Sequence, residues 1–280
     1  MENIFDDRNE EFELYERNKI LEEIDKRRAS FIIKDPDEKI LDASKYVLEK
    51  KGYKIKIIDP KSNSTDLYNP LKYVKTAEDI IAMSKIFTDN YVFGLDILND
   101  ISFLTRAKLI MQVLLDEASN LYKLDKLSFE FLKNTFNDAL ATYYKTGVFK
   151  IDFKGKGTPK IDRKKLDSLC SIGGVNELLD YVSKILGILS SGDAETIFSS
   201  DTVNLDTIGR RKTAIFIVYR KDKDRCSFIA NIMYLQAIHM FQEKAITYEN
   251  KLPIKLLVNS EDLNNFGMLT RSMTNFVYKI

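Results

Sequence analysis

Residues 30–74, SFIIKDPDEKILDASKYVLEKKGYKIKIIDPKSNSTDLYNPLKYV, decide the fold. Phe31-Ile32-Ile33 is a short apolar run that stops at Asp35-Pro36, as a buried strand does, and Asp37 stands where it would cap the helix that follows. That helix carries Ile40, Ala43, Tyr46 and Val47 and closes at Gly52. Lys54 to Ile58 then alternates Lys and Ile before a second break at Asp59-Pro60. Two strands joined by a helix predict a right-handed parallel crossover, so the segment reads as a βαβ unit.

Towards the N-terminus, residues 9–28 place Phe12, Leu14, Tyr15, Ile20, Leu21 and Ile24 among many charges, an irregular apolar stripe on a charged helix that is a candidate docking arm. Towards the C-terminus, residues 77–200 change to helical spacing, as in ISFLTRAKLIMQVLLDEASNLY, LSFEFLKNTFNDALATYY and GVNELLDYVSKILGILSS. The pattern then returns to α/β: TAIFIVY at 213–219 is strand-like, SFIANIMYLQAIHMFQEKA is a long apolar helix, and Leu252-Pro253 leads into the strand IKLLVN. A helical block therefore interrupts a sheet. Residues 147–165 form a polar link with Gly155, Gly157 and Pro159, and no internal repeat is present.

The chain has 280 residues, 44% of them apolar and 11% aromatic, enough to bury a core in one larger domain or two small ones. With 43 basic and 42 acidic side chains it has no overall field to draw it onto nucleic acid or an anionic membrane, so any such contact is local. No apolar run approaches the roughly 20 residues that span a bilayer, and MENIFDDRNEEFELYE lacks the basic head of an export signal, so direct membrane insertion is not expected and a cytoplasmic location is. Cys170 and Cys226 lack CxxC spacing and are expected to be reduced core thiols. A single histidine, His239, argues against a His-based metal site or a Ser-His-Asp triad, and it is expected to pack on a helix. No cofactor and no metal is expected.

The order of these phrases resembles the TraG/TraD-type coupling proteins of conjugative type IV secretion systems. In that family a strand ending in a DPKGE-like turn is followed by a helix, a GYKVKVLN-like strand and a YNP-type segment, which match IIKDPDEK, GYKIKIID and YNPLKYV. An all-α domain follows, then a DLDTIG-type phrase, a TALFVI-type strand, a helix and a Walker B strand, matched here by NLDTIGRRKTAIFIVY, the helix around Asn231 to Ala245, and LPIKLLVNSEDLNNFG. The match covers most of residues 30–267. It implies a partial RecA-like, P-loop-NTPase-type α/β sheet formed by residues 30–76 and 201–280, interrupted by an all-α subdomain at 77–200 and preceded by the charged helix of 1–29.

The departures carry as much meaning as the matches. A phosphate loop needs closely spaced glycines, a lysine and a Ser or Thr, and in this family it precedes the DPKGE-like turn. Residues 1–29 contain no glycine. The nearest spacing, Gly187-Ile-Leu-Ser-Ser-Gly192, continues Asp193-Ala194, where an acid would repel phosphate, so those glycines are expected to break helices. Aligned backward from Gly267, the family's Asp-Glu pair falls on Glu261-Asp262 in reversed order, which misplaces both groups for holding magnesium and polarising water. The plain alternative is a polar turn in which Asp262 or Asn264 caps a helix. The chain also ends at Ile280, before the family's remaining strands and arginine finger, so a complete ATPase site is not expected.

Lys150, Lys154, Lys156, Lys160, Arg163, Lys164 and Lys165 face only Asp152 and Asp162. This link is a candidate contact for DNA phosphates or an acidic partner, with Phe149 and Phe153 as interleaved stacking groups, against the bland reading of a solvated link. Arg210-Arg211-Lys212 precede a strand, either beside a neighbouring subunit or as gatekeepers of the strand. The resemblance implies a non-hydrolysing coupling-protein-like component, possible as an oligomer. It would bind secretion or conjugation proteins, a relaxase or a coupling ATPase, or DNA, with any place at the inner face of the membrane held through partners. The alternative is an ATPase subunit completed in trans by a partner that supplies the phosphate loop; a third reading is an excised fragment or remnant.

Overall fold

A computed structural model describes residues 18–19, 21–22, 24–26, 29–36, 38–62, 64–91, 101–121, 128–151, 158–162, 174–219, 225–244, 254–258 and 277–279. Two units emerge. The first gathers Met1–Asp66, Val203–Ala230 and Met240–Ile280, the second Leu67–Thr202 and Asn231–His239.

Among the described residues the first unit is built on five parallel strands. They are β1 (Ser30–Pro36), β2 (Lys54–Ile58), β3 (Thr213–Tyr219), β4 (Ile254–Val258) and β5 (Val277–Lys279), in the spatial order β2-β3-β1-β4-β5. β1 and β2 are joined through helix α1 (Lys39–Lys50) and run parallel, but β3 lies between them. Periodicity alone could not reveal that gap, because it reports which residues are apolar and not which strand fills the space. β3 is buried at every position, as a strand covered on both faces must be. Phe31 and Ile33 of β1, with Ala214, Phe216 and Val218 of β3, pack against Ile40, Leu41 and Leu48 of α1 and against Ile24 and Tyr53.

Both ends of α1 are fixed by identifiable groups. At its start Glu38 takes a left-handed conformation (φ 63°) and offers no side-chain cap. The capping carboxylate belongs to Asp35 at the end of β1, which accepts from the backbone N–H groups of Ile40 (2.9 Å) and Leu41 (2.7 Å). The expected cap, Asp37, lies outside the described residues. At the other end Gly52 (φ 77°) sits where the chain turns left-handed, with Tyr53 N–H donating to the Leu48 carbonyl and Gly52 N–H to that of Glu49. Lys212 adds a further donor, its ammonium reaching the Lys51 carbonyl at 2.8 Å. This bond ties Lys212 into the unit and gives it a structural task beyond guarding β3.

The free edge of β2 is closed by its own chain. Asp66 accepts from Ile57 N–H through Oδ2 (3.0 Å), donates its backbone N–H to the Ile57 carbonyl (2.6 Å), and pairs with Lys56 at 2.7 Å. One residue thereby satisfies both backbone groups of Ile57 and blunts an edge that would otherwise template aggregation.

The second unit is helical: α2 (Ala77–Tyr91), α3 (Ile101–Leu121), α4 (Phe129–Thr146), α5 (Val175–Leu189) and α6 (Gly192–Phe198), joined by the Asn231–His239 part of α7 (Arg225–Lys244). Aromatic contacts run through its core, with Phe87, Phe129 and Phe198 meeting at centroid distances of 5.4 and 5.2 Å. α4 begins at Ser128, whose hydroxyl accepts from Phe131 N–H, and ends at Gly147 (φ 74°). Among the described residues no helix is long and apolar enough to cross a membrane.

Candidate functional site

The YNP segment is fixed by a set of buried polar contacts within the helical unit. Asn69 caps a short 3-10 turn (Pro70–Tyr73) by accepting from Leu71 N–H at 3.0 Å, and Pro70 opens that turn, where its missing N–H costs nothing. Tyr68 is fully buried and its hydroxyl donates to Gln236 Oε1 on α7. Gln236 returns a bond through Nε2 to the Pro70 carbonyl at 2.9 Å. Leu67 is held from the other side by Thr202, N–H to hydroxyl at 2.9 Å and carbonyl to N–H at 2.8 Å. The three residues of the phrase thus act as a clasp: a buried phenol, a cap and a fixed turn.

One turn further along α7, His239 Nε2 lies 3.0 Å from Asp79 Oδ1. Asp79 is also the third helical residue of a capping box, its Oδ2 accepting from Lys75 and Thr76 N–H while its own N–H donates to the Thr76 hydroxyl. Burial works to raise the Asp79 carboxyl, but His239 and the two N–H donors outweigh it and hold the group down at about 2. His239 does pack on a helix, as expected. Its pairing with an acid was not legible, although the Thr76-x-x-Asp79 spacing was available as a signal.

Asp201 completes the polar seam. Its Oδ2 accepts from Lys72 Nζ (2.6 Å) and from the Tyr73 hydroxyl (2.7 Å), while Oδ1 is buried without a hydrogen-bond partner. Burial first, and then the nearby Asp201 charge, push the Tyr68 phenol well above its ordinary value, so Tyr68 stays a neutral donor at any physiological pH. Among the described residues no three His, Cys, Asp or Glu side chains converge as metal ligands would. The geometry is that of a scaffold that fixes helices, and sequence reasoning missed Gln236 and Asp201 because a buried glutamine and an aspartate before a turn carry no motif of their own.

No family model and no curated protein matches the chain. Among solved structures it is similar to the bacterial conjugative coupling protein TrwBdeltaN70. The unbound monoclinic form gives a TM-score of 0.50 at 11% identity over 90% of this chain and 55% of that one. The trigonal form in complex with sulphate gives 0.53 at 11% identity over 91% and 64%. The chain has a TrwB-like fold. It spans less than two thirds of the length of those structures, and at this identity the likeness is one of fold.

Within the TrwB-like fold, the phrases that carried the resemblance fall on defined elements: IIKDP is β1, the GYKIKII phrase runs through Gly52 into β2, TAIFIVY is β3, and IKLLV is β4 beside β1. Glu261 and Asp262 lie outside the described residues, as do Lys154, Lys156, Arg163, Lys164, Lys165, Phe153, Gly155, Gly157, Asn264 and Cys170, and the side chain of Cys226 is likewise undescribed. Lys160 is described and exposed. Asp116, fully buried on α3, accepts from Lys160 N–H (3.2 Å to each oxygen) and Ile161 N–H (3.4 Å), and Lys160 Nζ reaches the Ser119 hydroxyl at 2.9 Å. An interior acid therefore anchors this part of the basic link to a helix.

Two expectations are corrected. Phe149 is buried against Phe136, centroids 5.7 Å apart, and is not available to stack on a base. Gly187 lies inside α5 and does not break it; the break comes at Ser190 and Ser191, before Gly192 (φ 58°). With Gly187 wound into a helix, the Gly187–Gly192 spacing forms no phosphate cradle.

Proposed function

We propose that this chain is a coupling-protein-like component of a conjugative or type IV secretion system that acts by binding and not by hydrolysing nucleotide. The observation that carries the reading is the TrwB-like fold over nine tenths of the chain, a parallel sheet with a helical unit between β2 and β3. Support for the absence of turnover comes from the residues present: a helical Gly187, which forms no phosphate cradle, and a reversed Glu261-Asp262 pair. In this reading the helical unit presents the contact surface, and the YNP clasp keeps its helices in register. The partner is a protein of the transfer machinery, a relaxase or a complete coupling ATPase.

Capture from purified components tests it. The full 280-residue chain, immobilised, is expected to retain a purified relaxase or coupling ATPase from a conjugation system and to ignore unrelated proteins of similar charge. Retention of neither, across relaxases and coupling ATPases from several conjugation systems, would sink the proposal.

A further inference from the structure

The C-terminal end of α4 and the stretch just after it expose two apolar side chains with exposed lysines beside them in sequence. Tyr144 is 71% exposed and Val148 59%, although both are large apolar side chains. The Tyr143 ring lies 5.7 Å from that of Tyr144, and its hydroxyl is hydrogen-bonded with Asn176, which holds the pair in place. Beyond Gly147 the chain alternates exposed Val148, buried Phe149, exposed Lys150 and buried Ile151. The inward anchors fix Val148 and Lys150 outward. Lys145 and Lys150 are both exposed beside the apolar pair in sequence. Exposed tyrosine and valine flanked by charge have the make-up of an interface centre with its rim.

The near-neutral total charge hides a strong internal asymmetry. Residues 145–165 hold eight Lys and Arg against two Asp, while residues 1–16 hold seven Asp and Glu against Arg8 alone. That acidic stretch lies outside the described residues and interleaves its carboxylates with Phe5, Phe12, Leu14 and Tyr15. Its chemistry complements the patch twice over, acids for the lysines and apolar anchors for Tyr144 and Val148. A nucleic-acid strand would use the lysines and stack on Tyr144 but would leave Val148 unmatched, so the surface favours a protein segment. We infer that the acidic N-terminal segment of a second copy docks on the Tyr144–Val148 surface and joins copies of this chain. This goes beyond the coupling-protein reading and stands or falls separately from it.

Sedimentation of the full-length chain across a wide concentration range tests the inference. Concentration-dependent self-association is expected at low salt, weakened at least about tenfold when the Debye length falls to roughly 3 Å near 1 M salt. Lys145→Glu with Lys150→Glu should weaken association about tenfold or more, as should Glu10→Lys, Glu11→Lys and Glu13→Lys together. Combining the two sets in one chain should restore it. Tyr144→Ala should weaken association with its charge sensitivity unchanged. All patch substitutions are at exposed positions, and the urea midpoint of each variant checks its folding; the N-terminal set leaves the described residues untouched. A chain that stays monomeric at all concentrations, including one whose segment folds back on its own patch, overturns the inference. So does association indifferent to both charge reversals, or charge-dependent association that appears only after a single-stranded oligonucleotide is added.

Discussion

Two aspartates at helix starts respond to pH with opposite sign. Burial, opposed by two N–H bonds to α1 and supported by the nearby charges of Glu38 and Asp42, holds the Asp35 carboxyl up at about 6. The native state therefore takes up this proton before the unfolded chain does, so stability should rise as pH falls from about 6 to about 4. Asp35→Asn should flatten that rise, read as urea midpoints between pH 7 and 4; an unchanged slope would show that Asp35 is not the group responsible. Asp79, held down at about 2, contributes stability that is present above about pH 4 and lost as pH falls through 2. Asp79→Asn should cost on the order of 1 kcal/mol at neutral pH, allowing for partial solvent screening, and should remove the acid-side loss. Gln236 gives a third test at this scale. Gln236→Leu leaves the Tyr68 hydroxyl buried without its acceptor and should cost about 1–3 kcal/mol in chemical denaturation.

Elements were legible in the sequence where one periodicity and one stop signal agreed. β1, α1 and β2 fell within the quoted phrases because apolar runs ended at Asp-Pro or Gly52, β3 because TAIFIVY is a continuous apolar run bounded by charges, and α4 and α5 because their apolar stripes repeat at helical spacing. What remained hidden depended on neighbours: that β3 separates β1 from β2, that Asp35 caps α1, that Asp66 seals the β2 edge. Each is a contact between residues well separated along the chain or across a turn, and no local pattern encodes it. Phe149 shows the same limit from the other side, since a phenylalanine among lysines reads as a stacking group until Phe136 is found beside it. Phe149→Ala is accordingly expected to cost about 3–5 kcal/mol of stability, the penalty of an emptied core position. A loss below about 1 kcal/mol would mean that the ring is exposed in solution. At the β2 edge, Asp66→Ala should remove the side-chain acceptor of Ile57 N–H and raise the rate of aggregation at unchanged secondary structure, followed by light scattering.

At the scale of the whole molecule, the sheet and the helical unit carry different parts of the account. The sheet gives the TrwB-like architecture, with β1 at its centre and β4 beside it. The helical unit offers the surfaces, the Tyr144–Val148 end of α4 and the Asp116-anchored start of the link at Lys160. The candidate site was less legible than the fold. Of the seven basic residues singled out for binding, only Lys150 and Lys160 are among the described residues, and the clasp of Tyr68, Gln236 and Asp201 was invisible because each residue acquires its role only when distant parts of the helical unit meet. Family phrases marked where the clasp begins and said nothing about what closes it.

The central claim is that this chain binds without turning nucleotide over. Calorimetric titration of the purified 280-residue chain with ATP and magnesium, with phosphate release followed in the same sample, tests it most directly. The account predicts no saturable heat and no release above the buffer rate. Saturable binding with turnover that is lost in Glu261→Gln and Asp262→Asn would contradict it and establish a working nucleotide site.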